Sequence, residues 1–419
     1  MGVIKTDVLV CGGGCAGLVA ALASARMGAK TLLIERAGFA GGIVTATGLP
    51  FFDGIAHQGS NRIVVRGIAM ELAVKMGLCK AGDTHIEPHN PRIRNIEQFK
   101  LLADRLLLEH DNLQVLYHTV ACDVVVRDGR IAGVRIANKD GLTTVEARQV
   151  IDTTGDGDIA AWAGAQTEKN DPLMPMTMHF RVGHVGADRQ NMGALARASL
   201  VKAHEAGDLP LFYGPAIMFA FANDEAYFHA IRVTGDGTIA ADLTRAEMQG
   251  RKDAWTIFEC LKRDVPAFKD AYFIESGPYI GVRETRRLVG QHVLSEDDIQ
   301  ACRSFDDAIA TGCWYLDVHP NKVTLRGANE GNKIQPEPYD IPYRALLSNE
   351  LANLVVAGRC HSATAFAASS TRVNVTAMGL GEAAGTAAAL SVARGVDLAE
   401  CDGVKVRETL SAKGAGPFT

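Results

Sequence analysis

A chain of 419 residues with net charge -5, 47% hydrophobic and 22% charged residues and no low-complexity tract has the makeup of a folded protein of two or three cores. Its Lys and Arg are scattered, the densest basic run being "RETRR" at 283–287. It has no run approaching about 18 apolar residues and no charged-then-apolar leader, so the reading is cytoplasmic, with no nucleic-acid or membrane partner. Nine cysteines at irregular spacing, with no C-x-x-C pair, exclude a disulfide framework and leave no obvious ligand set for a metal.

"TDVLVCG", residues 6–12, is short, apolar and ended by glycine, the pattern of a buried parallel strand. Gly12, Gly14 and Gly17 then fit G-x-G-x-x-G. The first makes a tight turn, the second lets a pyrophosphate approach the backbone, and the third lets an alanine-rich helix lie close on the sheet. The N–H groups at that helix start face the phosphates. "AKTLLIE" supplies the second strand and ends on Glu35, a carboxylate placed to accept the two hydroxyls of an adenosine ribose.

This crossover serves NAD and FAD alike, and three later segments favour FAD. "ERAGFAGGIVTATG" runs on past Glu35 without a regular helix and places Gly41 and Gly42 in a loop where backbone can lie against a ribityl chain. Residues 115–158 contain a hairpin turning at Asp128-Gly129 and return through the buried strand "ARQVIDTTG" to Gly155 and Asp156. Near the end, "NLVVAGRCHSATAFAASSTRVNVTAMGLGEAAGTAAALSVARG" gives a strand, a Gly-Arg turn, a polar loop and a long small-residue helix from about Thr376 to Arg394. Its N-terminus can meet a flavin carbonyl.

Between these parts, "AGAQTEKNDPLMPMTMHFRVG" leaves the doubly wound pattern and alternates like an antiparallel strand. "DLTRAEMQGRKDAWTIFECLKRDVP" has helical spacing and stops before Pro266. "SEDDIQACRSFDDAIATG" reads as a helix with serine caps ending at Gly312. The fold expected is α/β: a discontinuous dinucleotide-binding domain of residues 1–165 and 340–419, with an inserted α+β substrate domain of residues 166–339 and the active site between them.

The chain resembles the FAD-dependent oxidoreductases of glutathione-reductase-type flavin fold, in particular a bacterial family with "IGVRETRR" in its middle and "VAGRCHSA...TRVNVTAMGLGEAAGTAA" near its end. The resemblance covers residues 4–60, 95–165 and 275–395. It implies that Gly12, Gly14, Gly17, Glu35, Arg36, Gly41 and Gly42 hold FAD, that Ala121 contributes backbone near the adenine, and that Gly155 and Asp156 line the cofactor. Gly358, Arg359 and the turn at Asn374, Thr376 and Ala377 would close over ribityl and pyrimidine.

FAD takes two electrons as a hydride, so the protein must position a C–H bond and accept a proton. His361, after Gly358-Arg359, and His57, on a loop able to cover the flavin face, are the candidate bases. Each also reads as a locally hydrogen-bonded or packed residue. His179 shares a strand face with Thr177 and Arg181 and is read as a satisfied sheet histidine. Arg283 and Arg372 are candidates for clamping a substrate carboxylate, whereas Glu284, Arg286 and Arg287 read as a structural ion-pair network.

No cysteine pair follows the Gly-Gly turn, which argues against disulfide reduction. No second strand-linked G-x-G-x-x-G is available for a nicotinamide, and no His or Cys stands out for covalent flavin attachment. The expectation is a noncovalent FAD dehydrogenase or oxidase acting on a small polar organic molecule, carboxylate-bearing ones among the candidates, with oxygen or another electron acceptor. An NAD(P)H-dependent flavin hydroxylase and a non-catalytic flavin-binding subunit are the alternatives, and oligomeric state is not legible.

Overall fold

A computed structural model describes residues 2–325 and 334–417. Its main sheet has seven strands: β1 (Gly2–Cys11), β2 (Thr31–Ile34), β3 (Leu113–Leu116), β4 (Val120–Arg127), β5 (Arg130–Asn138), β6 (Gly141–Asp152) and the late strand Leu354–Val356. The order is β3-β2-β1-β6-β5-β4. The pairs among β1, β2, β3 and β6 are parallel, the late strand adds parallel to β6, and the β4–β5–β6 meander is antiparallel.

Helix α1 (Cys15–Arg26) makes the crossover from β1 to β2. Along β1, Val8 and Val10 enter a core with α1, while Leu9 and Cys11 enter a second core on the opposite face. That two-sided burial is why the strand reads as an unbroken apolar run. The expected hairpin is present, with Asp128 and Gly129 both at positive φ, 50° and 70°.

The remaining strands are short. In chain order they are β7 (Thr167–Glu168), β8 (Phe180–Gly183), β9 (Ile217–Met218), β10 (Ala226–Phe228), β11 (Tyr272–Ser276), β12 (Arg287–Leu288), β13 (Ala308–Gly312) and β14 (Tyr339–Pro342), which makes Leu354–Val356 β15. β11-β8-β10-β9 form an antiparallel four-stranded sheet, and β12 pairs with β7 and β13 with β14. The other helices are α2 (Ile43–Thr47), α3 (Gly67–Lys75), α4 (Ile96–Leu108), α5 (Asp158–Trp162), α6 (Met192–Glu205), α7 (Ala240–Asp264), α8 (Glu296–Gln300), α9 (Ala365–Thr371), α10 (Asn374–Arg394) and α11 (Gly403–Ala412).

A separate core gathers residues between Met176 and Ile280 against α6 and α7. The chain after it does not stay there: Leu288 packs on the far face of the main sheet, and Leu294, Ile299, Ile309 and Cys313 join the core of α1.

Three readings need correction. A five-residue helix, α2, starts directly after Gly42, where none was expected. The segment expected to be one helix from Ser295 to Gly312 is α8 followed by β13. Ser295 and Asp298 do form a capping box, but Asp298 also binds Arg303, and the chain turns at Cys302 with φ 47°. Finally, α10 is long and apolar enough to cross a membrane by length and composition; 83% of that window is buried inside this fold, where it packs as a core helix against α1.

Candidate active site

The carboxyl ends of four parallel strands, β1, β2, β6 and β15, open onto one cavity of about 740 Å³ whose opposite wall comes from the second sheet. Open parallel sheets bind ligands at that edge.

At the first strand end, Gly12 has φ +106° and lies so close to β6 that a Cβ would meet Thr153 O at 2.5 Å. Gly17 does not line the cavity: a Cβ there would lie 1.7 Å from Gly12 O, so its role is to seat α1 on the turn. The backbone bonds of α1 begin with Leu18 N to Gly14 O, and no side chain caps the helix, which leaves its first amides open. Gly41 N donates to Gly13 O at 2.8 Å, and a Cβ at Gly42 would touch Gly14 Cα at 2.8 Å. Two glycine loops thus lie backbone to backbone. Glu35 accepts from Gly13 N at 2.6 Å and Ala37 N at 2.7 Å, which fixes its carboxylate at the cavity edge with a lone pair left on each oxygen. Arg36 stacks over Tyr279, 5.3 Å from the ring centre.

Farther along, Ala121, Gly155, Asp156, Gly358 and Arg359 line the same cavity. Asp156 Oδ1 accepts from Arg359 Nη2 at 2.8 Å and from Thr285 Oγ1 at 2.7 Å, so the "GVRETRR" and "GRCHSA" motifs meet on one carboxylate. Arg286 donates to Asp156 O and pairs with Asp158. Buried Arg287 pairs with buried Glu284 at 2.8 Å and donates to Ala363 O, joining the middle of the chain to its end. Arg286 and Arg287 are therefore structural.

At the start of α10, Asn374 and Ala377 line the cavity, while Thr376 lies behind it against Gly54. Asn374 Nδ2 donates to Phe51 O at 2.6 Å, yet its Oδ1 is buried with no partner among the described residues. These features fit FAD. A Cβ at Gly14 would meet nothing nearer than Gly42 Cα at 3.9 Å, which leaves room for a phosphate over the α1 amides, and the second helix start carries an unanswered acceptor.

The histidines differ from expectation. His361 is fully buried and lies off the cavity, its Nδ1 donating to Gly358 O at 2.8 Å and its Nε2 bonded to Thr371 Oγ1 at 3.0 Å. With both nitrogens engaged it cannot receive a proton from a substrate; burial pulls it down to about 4. His57 is also buried, off the cavity, and bonded to Ser60 at 3.0 Å.

The histidines on the cavity wall are His179, His229 and His319. His179 stacks on His229 with centroids 4.8 Å apart. His229 Nε2 accepts from Arg283 Nη2 at 2.8 Å, so that nitrogen carries no proton. His319 Nδ1 likewise faces Arg232 Nη2 at 3.3 Å, which leaves its Nε2–H to donate to Asp317 Oδ2 at 3.0 Å. All three stay neutral. Burial, then Arg283, takes His179 and His319 to about 3, while burial, then His179 and Arg283, holds His229 well below its ordinary value.

Arg283 is anchored by Pro175 O at 2.6 Å and Thr177 Oγ1 at 2.5 Å. Burial and the neighbouring guanidiniums lower it to about 9, so it is charged at neutral pH. Arg372 pairs with Asp317 at 3.1 Å. Burial opposes ionisation of Asp317, but His319, Arg372 and Arg283 outweigh it and hold that carboxyl well below its usual range. Arg283 and Arg372 both line the cavity. Asp317, His229 and His319 were missed; the only local sign was the i, i+2 spacing of Asp317 and His319, which puts them on one side of an extended stretch.

A dinucleotide grip at one end of a cavity and a cationic, proton-poor wall at the other define a dinucleotide-dependent redox enzyme. Comparison with known proteins makes the family plain: the chain belongs to the FAD dependent oxidoreductases, whose family model matches residues 7–410, and FAD is its cofactor. It is 28% identical over 196 residues to digeranylgeranylglycerophospholipid reductase 2 of Methanothermobacter thermautotrophicus, a match covering 45% of this chain and 50% of that protein. It is 34% identical over 164 residues to the tRNA uridine 5-carboxymethylaminomethyl modification enzyme MnmG of Campylobacter hominis, covering 36% of this chain and 24% of that one. The chain therefore spans half or less of these relatives. Among solved structures, the flavin-dependent brominase Bmp2 shares the fold, with TM-score 0.50 and 14% identity over 96% of this chain and 83% of that one.

Proposed function

We propose that this oxidoreductase oxidises a small organic anion, with the substrate carbon giving up a hydride. The carrying observation is the charge of the wall: Arg283 and Arg372 face the cavity with Arg232 behind, against the carboxylate Asp317, the carboxyl group of Asp53 and three uncharged histidines. That excess positive charge favours an anionic ligand, and the planar guanidiniums suit a carboxylate.

Noncovalent FAD, when bound, supplies the hydride acceptor, and oxygen or another acceptor restores it. In this reading the open amides of α1 with Gly12 and Gly14 hold the pyrophosphate, Glu35 the ribose, and Arg36 and Ala121 the adenosine side. Gly41, Gly42, Gly155, Asp156, Gly358 and Arg359 flank the chain of the cofactor, and Asn374 and Ala377 meet its ring. Anaerobic mixing of the FAD-loaded protein with hydroxy acids, amino acids, sugars, aromatic alcohols and NADPH tests this. Bleaching of the flavin by an organic anion and not by NADPH is expected; rapid bleaching by NADPH, with or without a second ligand, would replace the reading by a flavin hydroxylase.

A further inference from the structure

One carboxyl group on the cavity is used neither by the dinucleotide grip nor by the anion clamp. Asp53 lies on the loop after α2, and its backbone carbonyl accepts from Val375 N at 3.1 Å, which pins it to the first turn of α10. Its Oδ1 accepts from Asn90 Nδ2 at 3.3 Å, and its other oxygen has no protein partner among the described residues. The groups facing it are Asn90 on the loop before α4, Asp317 and Tyr315 on the segment after β13, Arg372 at the end of α9, and Tyr227 on β10. Among the described residues it is the one carboxyl group of this end with an oxygen left for a ligand, because Asp317 is already bound to His319 and Arg372.

We infer that the substrate is a hydroxycarboxylate and that Asp53 takes the proton of its hydroxyl group; the inference rests on the proposed oxidation of an organic anion. The balance is complete. The carbinol C–H bond breaks and leaves as hydride, with two electrons, to FAD; the O–H bond breaks and its proton goes to Asp53; the C–O bond becomes a carbonyl.

An amino acid fits this wall less well. Its ammonium group could pair with Asp53, but it enters as a zwitterion without net charge, and the surplus of Arg283, Arg372 and Arg232 over the carboxyl groups of Asp317 and Asp53 favours a ligand that keeps a net negative charge. Burial, with Asp317 adding, raises Asp53 to about 7, against the pull of Asn90 and Arg372. A base with that value has its acceptor form present above neutrality and is matched to a hydroxyl proton.

The test uses the FAD-loaded protein and matched pairs that differ in hydroxyl against ammonium: lactate with alanine, malate with aspartate. Anaerobic flavin reduction is followed from pH 5.5 to 9, and binding is read separately as a perturbation of the oxidised flavin spectrum. Hydroxy acids are expected to reduce the flavin more than roughly tenfold faster than their amino partners. The rate should rise with pH and level above about 7. Asp53→Asn should lower it by roughly 10²–10⁴-fold and flatten the profile, while binding hydroxy acids at least as well, since a negative charge beside the anion is gone.

Equal rates for the amino partners, or an unchanged rate and pH profile in Asp53→Asn, overturn this inference and leave the anion reading standing. A flavin that no member of either pair perturbs or bleaches overturns both. The wild-type profile decides by itself should the variant lose its flavin: a rate flat across pH 7 removes Asp53 as the acceptor.

Discussion

His361 lies two residues beyond Arg359, yet the two face different environments. Arg359 reaches the cavity and Asp156, whereas His361 is closed between Gly358 O and Thr371 Oγ1. His361→Asn should therefore lower stability by about 1–3 kcal/mol through a lost buried hydrogen bond, while the flavin that remains bound is reduced within a few-fold of the wild-type rate. Thermal unfolding and anaerobic reduction measure the two effects; loss of reduction at full FAD content would restore His361 as a base. The pH dependence has a definite sign. A histidine lowered from 6.5 to about 4 by burial is neutral when folded, so between those values the unfolded chain takes up a proton that the folded chain refuses. Wild-type stability then falls as pH falls through that window, by about 3 kcal/mol from this group, and His361→Asn removes that share of the slope. In the sequence, glycines and arginines of the site were legible because their spacing states a backbone or charge requirement. Asp53, His229 and His319 were not, because burial and a free lone pair arise only when loops some hundreds of residues apart close on one cavity.

At the scale of elements, α1 and α10 pack with almost no side chain between them. A Cβ at Gly381 would lie 2.1 Å from Ala16 O, and one at Gly385 2.2 Å from Ala20 O. This explains "GLGEAAG" without a nucleotide: Gly381 and Gly385 admit the backbone of α1. Helix propensity alone makes Gly→Ala favourable by up to about 1 kcal/mol, but here the added carbon strikes backbone, which cannot rotate away. Gly385→Ala should destabilise by about 1–3 kcal/mol with FAD affinity retained. Gly381→Ala should lose both, because Ala16 lines the cavity beside the open amides. Unfolding of the apoprotein and flavin titration separate the two, and a stabilised Gly385→Ala would show that the helices are looser than described. The β1–α1–β2 crossover was legible because apolar run, glycine turn and helix composition all agree. The stretch from Ser295 to Gly312 was not. Its capping box signals a helix start correctly, but Ala308–Gly312 is buried throughout and shows neither a two-residue nor a helical period.

Across the whole molecule, the cavity joins two bodies of packing that share few side chains. Its dinucleotide end is built from strand ends of the main sheet at Gly12, Glu35, Gly155 and Gly358, whereas His179, His229 and Arg283 belong to segments of the core around β8 and β10. A ligand that binds only the folded state stabilises what it touches, by about 4 kcal/mol at a thousand times its Kd. FAD alone should therefore slow amide hydrogen exchange chiefly in residues 8–35, 150–158 and 354–377. A hydroxy acid added anaerobically to FAD-loaded Asp53→Asn, which should bind it without rapid turnover, should extend protection to 177–183 and 228–233. Uniform protection by FAD throughout both regions would mean that the two cores open as one unit and that the anion end is completed by the cofactor. Protection confined to the two stated sets would instead make substrate, rather than cofactor, the ligand that holds the second sheet against the first, since local opening follows the contacts each region makes.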